Sequence, residues 1–160
     1  MRAAAVANLS TGLAVASHTG TAVGAFEALN IFSQEGVDAS AFIWVHAQAE
    51  KDLNKHIEGA RRGAWISLAG IYDKNIDAYK TLLVNMKEND LLSRVLISHD
   101  AGWYRPGETN GGTIRGYNTI FDRLMPALEQ AGFTDAERDQ LVCKNPAVAY
   151  AVKKRPAKNK

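Results

Sequence analysis

Three side chains that can bind metal ions follow short apolar runs of this sequence. His18 follows "LAVAS", His46 follows "FIWV", and Asp100 follows "VLIS" and His99. Imidazole and carboxylate groups are ligands of zinc, and bound zinc lowers the pKa of a coordinated water to about 7. The pattern therefore allows a hydrolytic metal site, while neutral histidines packed in a core remain the competing interpretation.

The other two histidines have simpler interpretations. His56 lies in the charged segment "DLNKHIEG", which favours a solvated position on a helix surface. His99 precedes Asp100, and alternation along a strand directs the two side chains to opposite sides. We therefore expect His56 to be exposed and His99 to be a packing residue or a residue behind the site.

The apolar runs themselves predict strands that hold these residues. They lack polar alternation, which is typical of strands buried on both faces of a parallel sheet. The predicted strands cover residues 13–17, 42–45, 64–68 and 95–98. Because parallel sheets build their sites at the carboxyl ends of the strands, His18, His46 and Asp100 are expected at one edge.

Helical segments separate the predicted strands. Apolar spacing predicts helices near residues 24–35 and 76–88, and an acidic start with a basic end predicts another near residues 50–62. Strand, helix and strand alternating in this way indicate repeated βαβ units of an α/β fold. We expect the four strands to be parallel and sequential, with right-handed crossovers.

The C-terminal third is predicted to be a long loop followed by helices. Residues 104–116 are rich in glycine and polar residues, and loops of this length are often functional. Pro126 predicts a helix boundary, Thr134 a capping box with the glutamate three residues later, and Asn145 an N-cap before a proline.

Composition narrows the class of protein. The 160 residues are 46% apolar and 22% charged, which suits one soluble domain over residues 1–152. The sequence contains no run of about 18 apolar residues, which a membrane span would need. The N-terminal residues favour a helix over a secretory signal. We therefore expect a cytoplasmic protein.

The chain ends in a basic stretch. Residues 153–160, "KKRPAKNK", carry five positive charges and no acid, so they account for the high isoelectric point. A short basic terminus is typical of a flexible, solvated tail. It gives only non-specific attraction to nucleic acid, so no nucleic-acid partner is expected.

Five stretches of the sequence are characteristic when they are taken together. They are "TGLAVASHTG", "FIWVHAQAEKD", "RGAWISLAGI", "RVLISHDAGW" and "NPAVAYAV". In residues and in order, from about residue 2 to residue 152, they resemble the C-terminal half of the phosphotriesterase-like amidohydrolases. The resemblance implies the C-terminal half, about strands five to eight, of a (β/α)8 TIM-type barrel.

The resemblance also implies residue roles. The family holds two divalent ions, usually zinc, and hydrolyses small esters, lactones or organophosphates with a metal-bound hydroxide. His18 and His46 would bind one metal. Asp100 would bind the other and accept a proton from the hydroxide. The substrate pocket would be shaped by loop residues, namely Tyr72, Trp103, Tyr104 and Arg105.

The sequence departs from the family in its missing first half. It contains no His-x-His pair anywhere, and no lysine before residue 18 that could bridge two metals. We expect half of the barrel to be absent, which would leave two open sheet edges and favour a homo-oligomer or a complementary half-barrel as partner. The alternative to an enzyme is a non-catalytic half-barrel that needs such a partner.

Overall fold

A four-stranded parallel sheet forms the centre of the protein. The structure is a computed structural model and describes residues 1–155. Its strands are β1 (Val15–His18), β2 (Phe42–Val45), β3 (Trp65–Ala69) and β4 (Val95–Ser98), in the order β1-β2-β3-β4. The predicted parallel, sequential arrangement is confirmed, with strand ends shifted by up to two residues.

A helix precedes β1, and one helix connects each pair of neighbouring strands. Between β4 and residue 155, three short α-helices follow. The helices are α1 (Arg2–Thr11), α2 (Ala22–Gln34), α3 (Leu53–Arg61), α4 (Ile76–Glu88), α5 (Met125–Gln130), α6 (Asp135–Asp139) and α7 (Asn145–Ala149).

Both faces of the sheet are buried, as the unbroken apolar runs predicted. Trp44, Phe42 and Ile66 face the helices and belong to the main core. Ile43, Trp65 and Leu96 lie on the other face in a second buried group, which Ala149 of α7 completes. The sheet therefore holds its strand ends in fixed positions from both sides.

Two prolines occur just after widened helical turns. A π-helical turn, Ile120–Leu124, precedes Pro126 in α5, and another, Gln140–Lys144, precedes Pro146 in α7. Proline has no N–H and its ring clashes with the carbonyl four residues earlier, and a wider turn accommodates both effects. The predicted boundary near Pro126 is thus a change of helix type.

The C-terminal capping predictions had different outcomes. Thr134 and Glu137 form the predicted capping box at the start of α6. The prediction of an N-cap at Asn145 is wrong, because the helix continues through this residue from the preceding π-turn. Its buried side-chain amide instead donates hydrogen bonds to the carbonyls of Leu92 and Val95, at 2.8 and 2.7 Å.

The first residues of the basic stretch are packed against the domain. The backbone N–H of Lys153 donates to Gly12, and Arg155 is only 5% exposed. Arg155 therefore differs from the expected solvated tail, because backbone carbonyls surround its guanidinium, whereas the side chains of Lys153 and Lys154 are exposed. Residues 156–160 lie outside the described part of the chain.

None of the helices within residues 1–155 has the length and apolarity needed to cross a bilayer.

Candidate functional site

The two predicted histidine ligands lie side by side at the carboxyl ends of β1 and β2. The centroids of the His18 and His46 rings are 4.3 Å apart, at an interplanar angle of 67°. Their proximity follows from strand register, because His18 pairs with Val45, the residue before His46. Tetrahedral zinc takes histidine nitrogens at about 2.0 to 2.1 Å, so these neighbouring imidazoles are candidates to share one ion.

Asp100 reaches the same position from the end of β4. Its Oδ2 lies 3.7 Å from Nε2 of His46, and both side chains are partly exposed. The backbones of His46 and Asp100 have φ angles of 59° and 45°, in the left-handed region. L-residues seldom adopt this conformation, and it is common at functional sites. The structure therefore brings His18, His46 and Asp100 together.

Behind the pair, a glutamine contacts His46. The Nε2 of Gln48 lies 3.1 Å from Nδ1 of His46, and its Oε1 accepts a hydrogen bond from the backbone N–H of Ala69. Sequence reasoning missed this contact. Its only signal was the position of Gln48, two residues after a candidate ligand.

His56 is buried, so the prediction of a solvated histidine is wrong. It is 1% exposed, and its Nε2 lies 2.7 Å from the carbonyl oxygen of Ala47. Burial lowers the pKa of His56, so the neutral ring donates this hydrogen bond and fixes the turn after His46. His56, Gly59 and Ala60 form the buried face of α3, and this i, i+3, i+4 spacing was the available signal.

His99 is a packing residue, as alternation predicted. It is 9% exposed, its Nε2 accepts a hydrogen bond from the backbone N–H of Ile120, and burial lowers its pKa. Arg115 donates hydrogen bonds to the carbonyls of His99 and Asp100, and its guanidinium lies 5.3 Å from the Tyr72 ring centroid. No sequence pattern singled out Arg115, although it connects two loops at the site.

The four predicted substrate residues lie in the loops after β3 and β4. Trp103 and Tyr104 are about two-thirds exposed, and Tyr72 is 38% exposed. The Trp103 indole N–H donates to the carbonyl of Asp100, while Arg105 pairs with Glu108 within its own loop. Trp103 is thus held next to Asp100, whereas the structure gives no contact that links Tyr104 or Arg105 to the three metal-binding candidates.

A cleft of about 580 Å³ opens beside Asp100. Trp103, Tyr117 and Phe121 line it together with apolar residues of the C-terminal helices. His18 and His46 do not line this cleft, so it borders the candidate centre on the β4 side only. An apolar wall next to a carboxylate suits an apolar substituent of a small substrate.

The donor set fits part of a divalent metal site. Two imidazoles and a carboxylate have the right chemistry for zinc. Within the part of the chain that the structure describes, however, no three His, Cys, Asp or Glu side chains are grouped closely enough to hold an ion. Further ligands would have to complete the site.

Known proteins have sequences similar to this chain. The sequence profile of the Phosphotriesterase family matches residues 1–150. The phosphotriesterase homology protein of Escherichia coli is 27% identical over 148 residues, which cover 91% of this chain and 50% of that protein. The chain therefore spans about half the length of this curated relative.

Solved structures show the same fold. The Escherichia coli homologue, in a crystal structure complexed with phosphate in its active site, has a TM-score of 0.78 at 27% identity, over 91% of this chain and 51% of that chain. A lactonase from Listeria monocytogenes has a TM-score of 0.83 at 23% identity, over 96% and 49% of the two chains. The match to residues 1–150 shows that this chain belongs to the Phosphotriesterase family.

Proposed function

We propose that this chain supplies one half of a metal-dependent hydrolase that acts on small esters, lactones or organophosphates. The observation that carries the proposal is the convergence of His18, His46 and Asp100 at the carboxyl ends of their strands. Family membership supports hydrolysis, and the Listeria monocytogenes relative, described as a lactonase, is consistent with an ester-type substrate.

In this proposal His18 and His46 would hold one zinc ion, and Asp100 would bind a second. A bound divalent ion acidifies water and polarises the substrate's reacting bond. The chain's own contribution is position, because β1 and β2 fix the two imidazoles and Arg115 fixes the Asp100 carbonyl. The Asp100 carboxylate accepts the proton released from the attacking water.

The loops would bind the substrate. Trp103 supplies an apolar wall next to Asp100. The Arg115 guanidinium lies over the ring of Tyr72. Tyr104 and Arg105, both exposed, would close the loop side of the pocket when substrate is present. Substrate choice within the family's chemistry would then depend on these four side chains.

A complementary half-barrel would supply the remaining metal ligands. β1 and β4 each pair on one side only within residues 1–155. The first half of a (β/α)8 barrel would pair with both free edges and complete the ligand set. A second copy of this chain could cover the same edges, but it would bring no His-x-His pair.

A second candidate function is a non-catalytic half-barrel that binds a partner. The incomplete ligand cluster within the described residues favours it for the chain alone. The two functions differ in their behaviour after assembly, because only the enzyme gains turnover when the missing strands are supplied.

The test compares the 160-residue chain alone with the same chain co-produced with the N-terminal half of the Escherichia coli homologue. Co-purification and zinc analysis establish assembly. Hydrolysis of an aryl ester, a lactone and a phosphotriester is then measured. We expect turnover of at least one substrate by the assembly and little by the chain alone.

An assembled, zinc-loaded complex without turnover on any of the three substrates would contradict the hydrolase proposal. Equal turnover by the isolated chain would contradict the need for a second half. In the active complex, Asp100→Asn should lower kcat by about 10² to 10⁴, the usual contribution of a positioned proton acceptor. Asp90→Asn, a matched change on an exposed turn, should leave kcat unchanged.

A further inference from the structure

Gln48 lies between the candidate ligand His46 and the end of β3. It is the middle residue of the 3-10 turn Ala47–Ala49, which directly follows His46. Its side chain makes two contacts, one with the backbone N–H of Ala69 and one with Nδ1 of His46, both at 3.1 Å. The amide therefore connects the ends of β2 and β3.

The orientation of the Gln48 amide is determined by Ala69. A backbone N–H can only donate, so the Gln48 oxygen must face Ala69. Ala69 is itself fixed, because it is the last residue of β3 and its carbonyl accepts a hydrogen bond from the Tyr79 hydroxyl. Burial raises the pKa of Tyr79 to about 12, so this hydroxyl remains a donor. The amide nitrogen of Gln48 is left facing His46.

This orientation determines which ring nitrogen of His46 carries the proton. An amide NH2 group can only donate, so Nδ1 of His46 must present its lone pair. The neutral ring then carries its proton on Nε2, the nitrogen that faces Oδ2 of Asp100 at 3.7 Å. We propose that Gln48 is a positioning residue that holds metal-free His46 in the Nε2–H tautomer, directed toward Asp100.

The consequence for metal binding rests on the proposed function. Zinc binds a lone pair, and histidine ligands usually donate their other N–H to a carboxylate or a carbonyl. Gln48 imposes the opposite arrangement, because it donates to Nδ1 and leaves Nε2 protonated. Zinc can bind Nε2 only after the Gln48 amide releases Nδ1, so Gln48 lowers the zinc affinity of the site.

Gln48→Glu tests the proposal with a defined change of sign. One carboxylate oxygen can still accept from Ala69, while the other accepts from Nδ1–H of His46. We expect the variant to switch His46 to the Nδ1–H tautomer and to bind zinc at least tenfold more tightly, within the usual range for such partners. The matched control Gln130→Glu adds the same charge at the exposed end of α5.

The tautomer is read from the ¹⁵N shifts of the ring nitrogens in the metal-free 160-residue chain, at a pH where the ring is neutral. Wild type and Gln130→Glu should show Nε2–H at His46, and Gln48→Glu should show Nδ1–H. Nδ1–H in the wild type, or the same tautomer in wild type and Gln48→Glu, would overturn the proposal.

The zinc measurement adds a separate result. Isothermal titration calorimetry with zinc should show tighter binding than wild type for Gln48→Glu and unchanged binding for Gln130→Glu. Equal affinity in all three would overturn the claim that Gln48 opposes zinc. Because the tautomer is measured without metal or substrate, a failure of the hydrolase proposal would leave the tautomer result intact, and the two failures can be told apart.

Discussion

The two ends of the sheet differ in how their side chains are used. At the amino ends, Ile43, Trp65 and Leu96 are nearly fully buried against α7. At the carboxyl ends, His46 and Asp100 are partly exposed and hold unfavourable backbone angles. The amino end of the sheet, called the closed end below, therefore stabilises the fold by burial. The carboxyl end, called the open end, holds partly exposed polar side chains with unfavourable backbone angles, an asymmetry that is typical of βα folds.

A buried arginine, Arg155, also lies at the closed end. Its guanidinium donates hydrogen bonds to the carbonyls of Gly12, Lys153, Val148, Ala149 and Ala151. These carbonyls come from the segment between α1 and β1 and from the chain around and beyond α7. A single buried cation thus joins the C-terminal segment to the start of the first strand.

The largest expected effect on stability comes from Arg155→Ala. The change removes these hydrogen bonds and leaves buried carbonyls unpaired, so the free energy of unfolding should fall by about 3 kcal/mol. Urea denaturation of the metal-free chain measures the change. Lys154→Ala, on an exposed neighbour, should change stability by less than about 0.5 kcal/mol. Equal changes in the free energy of unfolding for the two variants would show that the hydrogen bonds of Arg155 do not stabilise the closed end.

A smaller change, an increase in the free energy of unfolding, is expected for His46→Gly at the open end. Glycine adopts the left-handed conformation without the penalty of about 1 to 2 kcal/mol that other residues incur. After the entropic cost of glycine, the free energy of unfolding should rise by about 0.5 kcal/mol. Loss of the imidazole should at the same time weaken zinc binding.

Asp90→Gly is the matched control for this second prediction. Asp90 has the same φ angle of 59° but lies on an exposed turn. Urea denaturation should show a similar gain in stability, with zinc affinity unchanged in titration. If His46→Gly destabilises the protein while Asp90→Gly stabilises it, the ring of His46 supports the fold, and the contrast between the two ends is weaker than described.

The smallest effect is the pH dependence contributed by His56. Burial lowers its folded pKa, and the hydrogen bond with Ala47 and the charges of Glu50 and Asp52 oppose this effect. Below about pH 6.5 the unfolded chain takes up a proton that the folded state resists. The stability that the neutral His56 ring contributes is therefore complete above about pH 6.5. It is lost as the pH falls from there toward the lower pKa of the folded state.

His56→Gln retains a donor for the Ala47 carbonyl and removes this titration. Urea denaturation of the metal-free chain between pH 5 and 7 should show a shallower pH slope than wild type. The slope should not vanish, because burial lowers the pKa of His99 as well. An unchanged slope would mean that His56 does not resist protonation in the folded state.

Much of the fold could be predicted because its signals are local. Apolar runs without alternation placed the four strands within two residues, and the capping box at Thr134 needs only neighbours in sequence. The histidines and the aspartate followed from strand ends, since parallel strands bring such residues to one edge. Their roles in metal binding and catalysis stay predictions.

The missed features depend on partners that are distant in sequence. Arg155 was expected to be solvated from charge alone, yet its burial depends on carbonyls such as that of Gly12. Arg115 acts through the backbone of Asp100, which no side-chain pattern reveals. His56 had a helical signal, but the charged neighbours in its segment concealed it.

The proposed hydrolase depends on one feature above all, namely that His18 and His46 share one metal at the carboxyl ends of β1 and β2. Diffraction data collected at the zinc absorption edge from crystals of the assembled complex would locate the ion directly. We expect a zinc peak about 2.0 to 2.1 Å from a ring nitrogen of each histidine. A zinc peak that contacts only one of them, or that lies away from both, would contradict it.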